Sequence, residues 1–329
     1  MTNIALPCFI FSQILRSFHI SQFMLIVEVM IGCSLSYFFG YFIGYFTMKL
    51  LGYTENQSRF VGSVFSSPNA ISYPLILITT IGHVLDKIMP MPESLPIIAE
   101  RRGYLYIIIG SIFSNIWRWS GGYYLIEPEP DPNAKYIPPP PMTFCRFIKQ
   151  VMNMPVIASL GSIILTCLPP VQNFLATPNT TVYNALIEAN LKVGKAYSFL
   201  VMILLGLSLA DSITFHPTEE VKKKIIFKGW DLLWICLSKL ILMPLISAPF
   251  VIYVFKYIIK TDEVMLFLFL FMCAVPSGIN MIVVCNLKSA YPESVSLLMV
   301  FMYGLSMITV TIGVTSLIFL LEYLDNVYV

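Results

Sequence analysis

Two stretches of this 329-residue chain place proline, asparagine and serine where an apolar helix would otherwise run unbroken. The first reads Ser66-Ser67-Pro68-Asn69-Ala70-Ile71-Ser72-Tyr73-Pro74 and the second Val275-Pro276-Ser277-Gly278-Ile279-Asn280. Proline removes a backbone donor and frees an upstream carbonyl, and in hydrocarbon such groups must be satisfied by protein or by a wet cavity. A lipid-facing position is therefore not expected for either break. Each break should expose a half-helix N-terminus, whose free amides and partial positive charge suit an anionic group such as a carboxylate. The side chains of Asn69 and Asn280 can add donors without the cost of an intramembrane charge. The candidate substrate-binding residues are Asn69, Ser72, Pro74, Pro276, Ser277, Gly278 and Asn280. Pro155, Pro244 and Pro249 read instead as packing kinks.

Other chemistry finds little support. An intramembrane enzyme needs a nucleophile with a base, paired carboxylates or a metal cluster at depth, and no such pattern is visible. His19, His83 and His216 are isolated, without the clustering that a metal requires, and no cofactor is expected. The seven cysteines lie mostly in apolar runs without paired spacing and read as small core residues. Lys239 lies about nine residues into its apolar run. It is either a substrate-attracting charge or a structural partner of Asp231, and the structural role is preferred because lysine can snorkel. Glu28 reads as interfacial. The aromatic groups around Tyr37 to Phe42 and Trp117 to Tyr124 read as interfacial belt and helix packing.

The elements that must position these residues follow from composition. Hydrophobic residues make up 57% and charged residues 12% of the chain, and the mean hydropathy is +0.79. Soluble domains have roughly 45–50% and 25%. The net charge of +2 is scattered, with Lys222, Lys223 and Lys224 as the one cluster, which argues against nucleic acid as a partner. Apolar runs occupy 23–51, 60–83, 103–126, 151–171, 193–211, 230–257, 264–287 and 294–322. A helix of about 20 apolar residues crosses a bilayer, so these predict eight spans. Residues 4–15 form a partial ninth, the tail of a longer helix. Pro74 and Pro276 fall 14 and 12 residues into their runs, near mid-bilayer at ~1.5 Å per residue.

The stretch 127–150, with Pro128, Pro130, Pro132 and Pro138 to Pro141, cannot continue a helix and predicts a linker between two halves, 1–126 and 151–329. Assigning Lys and Arg to alternating sides, with Arg118 counted as a loop cation, gives a modest excess on the linker side and predicts a cytosolic linker. Of two sequons, Asn179-Thr180-Thr181 would then be lumenal and Asn56-Gln57-Ser58 cytosolic. The two breaks are five spans apart. An odd number of spans per repeat inverts the second copy, and matched interrupted helices in two halves point to a transporter's central site.

At these residues the sequence resembles the auxin efflux carrier family, the PIN and PIN-like membrane transporters, over nearly its whole length. The resemblance rests on Pro7-Cys8-Phe9-Ile10-Phe11-Ser12, the Asn69 to Pro74 break, Arg102-Gly103-Tyr104, and Trp117-Arg118-Trp119-Ser120-Gly121-Gly122-Tyr123. The second half adds Asn153-Met154-Pro155, Pro169-Pro170-Val171-Gln172-Asn173, Lys239-Leu240-Ile241-Leu242-Met243-Pro244 and Pro276-Ser277-Gly278-Ile279-Asn280. The resemblance implies an inverted five-plus-five helix repeat in which two broken helices cross at the substrate site. Pro74 and Pro276 would be the crossover prolines, and Asn69 and Asn280 would flank the substrate carboxylate. It also implies that the first family helix and most of the second are absent here. The first break departs from the usual Asn-rich, Leu-Pro form and reads Ser-Tyr-Pro, so the substrate does not carry over from plant auxin carriers. The short linker matches members of the endoplasmic reticulum rather than the plasma membrane.

The expected protein is an all-α polytopic membrane protein with about nine spans. Its expected role is secondary transport of a small organic anion by alternating access, with that anion and the lipid bilayer as partners and a homodimer left open. The competing readings are a non-transporting membrane receptor or regulatory protein and a truncated carrier remnant.

Overall fold

Helix ends in this chain follow its prolines and polar interruptions. The architecture is that of a computed structural model, which describes residues 2–18, 23–88, 98–127, 143–152, 154–194, 196, 200, 203, 207 and 225–328. Helix α1 is Thr2–Ser17, α2 Phe23–Leu50, α3 Glu55–Phe65 and α4 Ser72–Ile88. Helix α5 runs from Ala99–Trp117 through a π-helical turn, Arg118–Gly122, to Tyr123–Leu125. Then come α6 Phe144–Val151, α7 Met154–Thr166, α8 Pro169–Ala176 and a π-helical stretch Tyr183–Glu188. The second half continues with α9 Gly229–Ile259, α10 Glu263–Ala274, α11 Asn280–Lys288 and α12 Pro292–Tyr328. The expected linker prolines, Lys222 to Lys224 and most of the expected span 193–211 lie outside the described residues.

Among the described residues the protein is helical throughout, apart from one isolated pairing of extended backbone. Among the described residues three helices, Phe23–Leu50, Gly229–Ile259 and Pro292–Tyr323, are individually long and apolar enough to cross a membrane. The two interrupted runs do not pass that test because each is two short helices, α3 with α4 and α10 with α11. The run 151–171, expected as one span, falls instead on two helices, α7 and α8, that meet at a bend of 110°. Its cause is Pro169-Pro170, which opens α8 and forces the preceding residues out of helical geometry.

Burial separates core helices from lipid-facing ones. Every residue of α10 from Val264 to Ala274 is buried, as is every residue of α3 from Phe60 to Phe65. A helix that is apolar all round belongs inside. By contrast α12 has only 11% of its apolar window buried. Lipid is as apolar as leucine, so helix association in a bilayer depends on close packing and interhelical hydrogen bonds, and small residues make close packing possible. Gly40 and Gly44 of α2, four residues apart, supply it against α3. A Cβ at Gly40 would lie 2.5 Å from the Phe65 carbonyl oxygen, and one at Gly44 2.9 Å from that of Val61.

The N-terminus of α3 is held by a capping box: Gln57 N donates to Thr54 Oγ1 at 3.4 Å and Thr54 N to Gln57 Oε1 at 3.1 Å. The turn before it is tied to α9 by the Tyr53 hydroxyl, which donates to Asp231 Oδ2 at 2.7 Å. Expected aromatic packing divides into two kinds. Tyr37 is buried and stacks on Trp117 at 5.6 Å, whereas Phe38, Phe42 and Phe46 form an exposed ladder along α2.

Candidate functional site

The two breaks meet. Residues 66–71 between α3 and α4 and residues 275–279 between α10 and α11 are not helical, and these connectors pair antiparallel at Pro68 and Ser277. Asn69 N donates to the Pro276 carbonyl at 2.9 Å, and Gly278 N donates to the Ser67 carbonyl at 2.7 Å. Each connector thus satisfies main-chain groups that have no helical partner in the other, which is how irregular backbone survives at membrane depth.

Helix α12 fixes the crossing from the side. The Tyr303 hydroxyl donates to the Ser277 carbonyl at 3.0 Å and accepts from Asn69 Nδ2 at 2.8 Å. Asn69 Oδ1 accepts from Ser72 N at 3.0 Å, so this side chain caps α4 while binding α12. One turn further on, the hydroxyls of Tyr73 and Ser306 are 2.7 Å apart. From α5, Trp117 Nε1 donates to Ser66 Oγ at 3.0 Å and Ser63 Oγ donates to the Gly122 carbonyl at 2.8 Å.

Of the residues singled out in the sequence, Asn69, Pro276, Ser277 and Gly278 come together at the crossing. Ser72 begins α4, and Pro74 stands in that helix's first turn, where a missing N–H costs nothing. Pro68, rather than Pro74, is therefore the crossing proline on the first side. Asn280 opens α11 two residues after Gly278, and it is exposed and takes no part in the hydrogen bonds of the crossing described above.

Lys239 is fully buried, and its partner differs from the expected one. Its Nζ donates to the Phe65 carbonyl at 2.9 Å and contacts Met243 Sδ at 3.1 Å, whereas Asp231 is engaged by Tyr53. A lysine at the C-terminus of half-helix α3 neutralises the carbonyl end of its dipole. Lys288 does the same for α5, with Nζ 3.0 Å from the Ile126 carbonyl.

Sequence reasoning missed Pro68, Tyr303 and Arg118. Arg118 is not a loop cation: it is 6% exposed and lies against Gly278, where a Cβ would meet its Nη2 at 3.4 Å. The signal was its position eight residues before Ile126, roughly 12 Å inside the run at 1.5 Å per residue. Tyr303 carried no local signal beyond being a polar-tipped residue inside an apolar helix.

An apolar cavity of about 600 Å³ lies between α9, α10 and α12, lined by Pro244, Pro249, Leu270, Ala274, Thr309 and Leu317 among others. It reaches the crossing only at Ala274, the last residue of α10.

The sequence matches the family model described as membrane transport protein over residues 1–314. It is also similar to a Saccharomyces cerevisiae protein described as uncharacterized transporter YBR287W, with 19% identity over 369 aligned residues that cover 94% of this chain and 84% of the yeast protein. With nearly its whole length matched and its two interrupted helices crossed, the chain belongs to the membrane transport protein family, that of the PIN-like auxin efflux carriers.

Proposed function

We propose that this protein is a secondary carrier that moves a small organic anion, such as an aromatic carboxylate, across a membrane by alternating access. The observation that carries the reading is the antiparallel crossing of two broken helices, bonded to each other through main-chain groups and buried among α5, α9 and α12. The half-helices that leave the crossing begin at Ser72 and Asn280, and their N-termini are the ends proposed to meet the anion. A pair of segments running in opposite directions is what an inverted repeat of five and five helices demands. About nine spans, a cytosolic linker and residence in the endoplasmic reticulum belong to the same reading. Movement of a monoanion is biased by membrane potential at about 2.3 kcal/mol per 100 mV, which gives a uniporter a driving force without a coupled ion.

Asn280→Ala tests this. The side chain is exposed, so the variant should fold, and loss of one hydrogen bond to a charged ligand should lower initial uptake of labelled organic acids into proteoliposomes by at least about tenfold. Undiminished uptake by the folded variant removes Asn280 from the site. A folded wild-type protein without uptake of any acid tested favours the receptor or remnant reading.

A further inference from the structure

Helix α5 widens into a π-helical turn at Arg118–Gly122, and such turns re-aim side chains at functional sites. Here the turn begins with Arg118. Its Nη1 donates to Asn115 Oδ1 at 2.8 Å and its Nη2 to Ser114 Oγ at 3.4 Å, while Nε is buried with no partner. The ion pairs among the described residues join Lys49 and Arg59 to Glu55, Arg59 to Glu127, Arg102 to Asp262 and Lys192 to Glu188. None of them neutralises Arg118.

A guanidinium stays charged, and a buried charge without a counter-charge is costly. The Nε–Nη2 edge carries two parallel N–H groups, the geometry that a carboxylate fills in a bidentate pair. The Nη2 end of this edge lies at the crossing: a Cβ at Gly278 would be 3.4 Å from both Arg118 Nη2 and the Pro68 carbonyl oxygen. Two hydroxyls there, Ser67 Oγ from one connector and Ser277 Oγ from the other, are also buried without partners. The connector amides Asn69 N and Gly278 N are already bonded, to the Pro276 and Ser67 carbonyls.

We propose that Arg118 is the residue that receives the carboxylate of the transported anion, with the hydroxyls of Ser67 and Ser277 donating beside it. The absent Cβ at Gly278 leaves the oxygen its room. This rests on the carrier reading and adds its selectivity: carboxylates are taken over carboxamides of the same shape because the counter-charge is a fixed guanidinium. Arg118 is 6% exposed, so the anion reaches it when the surrounding helices part.

The test measures equilibrium binding of labelled indole-3-acetate, benzoate and the corresponding carboxamides to the purified full chain, alongside proteoliposome uptake. Wild type should bind the carboxylates more tightly than the amides. Arg118→Gln should lose at least about tenfold in carboxylate affinity while amide affinity changes by less than about threefold, and Arg118→Lys, a point charge without the fork, should fall between. Gly278→Ala keeps the charge and adds only contacts at ordinary van der Waals distance, yet it occupies the oxygen's space and should weaken carboxylate binding about tenfold. Carboxylate affinity unchanged in Arg118→Gln, equal losses for both probes in that folded variant, or no carboxylate binding by wild type overturns the assignment. Should Arg118→Gln not fold, unchanged carboxylate affinity in Gly278→Ala overturns it. Arg118-dependent binding without uptake would sink the carrier reading alone, and equal uptake by wild type and Arg118→Gln would sink the Arg118 assignment alone.

Discussion

Gly40→Val is expected to leave little folded, transport-competent protein. The first added carbon would stand 2.5 Å from the Phe65 carbonyl oxygen, 2.8 Å from its carbon and 2.9 Å from Ser66 Cα. All three are backbone atoms, so no rotamer change relieves the clash and α2 must move away from α3. Overpacking in a fixed core costs about 1–3 kcal/mol, and more where neighbours cannot yield. The Phe65 carbonyl is also the one that Lys239 caps, and Ser66 accepts from Trp117, so the displacement reaches the crossing directly. Thermal unfolding in detergent and proteoliposome uptake should both fall sharply. Gly161→Ala and Gly304→Ala, where an added Cβ meets nothing within 4 Å, are the controls and should stay within about 0.5 kcal/mol of wild type.

Asp262→Asn is expected to destabilise the protein by about 3–5 kcal/mol, the usual cost of stranding one member of a buried ion pair. Arg102 has no exposed surface and pairs with Asp262 Oδ1, while the Tyr106 hydroxyl donates to Asp262 Oδ2 at 2.8 Å. Arg102 Nε and Nη2 already lack partners, so the carboxylate is its counter-charge. Removing both charges as Arg102→Met with Asp262→Leu should recover most of the loss, measured as the unfolding midpoint. Failure of the double variant to recover would show that shape, rather than the stranded charge, sets the cost. The contrast with Arg118 is informative: two arginines of one helix are buried, and one carries its own carboxylate while the other faces the crossing without one.

What could be read in advance follows how local each cause is. Both interruptions were legible because Pro68 to Pro74 and Pro276 to Asn280 are polar, proline-bearing stretches inside apolar runs. Their pairing was legible only as an expectation from spacing and family resemblance, since Asn69 and Tyr303 touch across 234 positions of sequence. The choice of Pro74 over Pro68 failed for a physical reason. A proline in the first turn of a helix and a proline in the connector before it look alike in sequence, and only the pairing with Ser277, far along the chain, distinguishes Pro68 as the one at the crossing. Counting Arg118 as a loop cation failed because a topology tally treats arginine as a surface charge, which overlooks a guanidinium held inside by Asn115 and Ser114. The assignment of Lys239 as structural was closer than its named partner: the half-helix carbonyl it caps exists only once the helix is broken. The bend at Pro169-Pro170 was missed: the two prolines stand at the end of the run 151–171, which was read as a single span.

The carrier reading is tested most directly by uptake of a labelled aromatic carboxylate into proteoliposomes holding the purified wild-type chain under an imposed potential. It expects saturable uptake that is driven by an inside-positive potential, with a bias of about 2.3 kcal/mol, or roughly 50-fold in the equilibrium ratio, for each 100 mV. Uptake by folded protein no faster than into empty liposomes, across a panel of organic acids and at every potential, would contradict it.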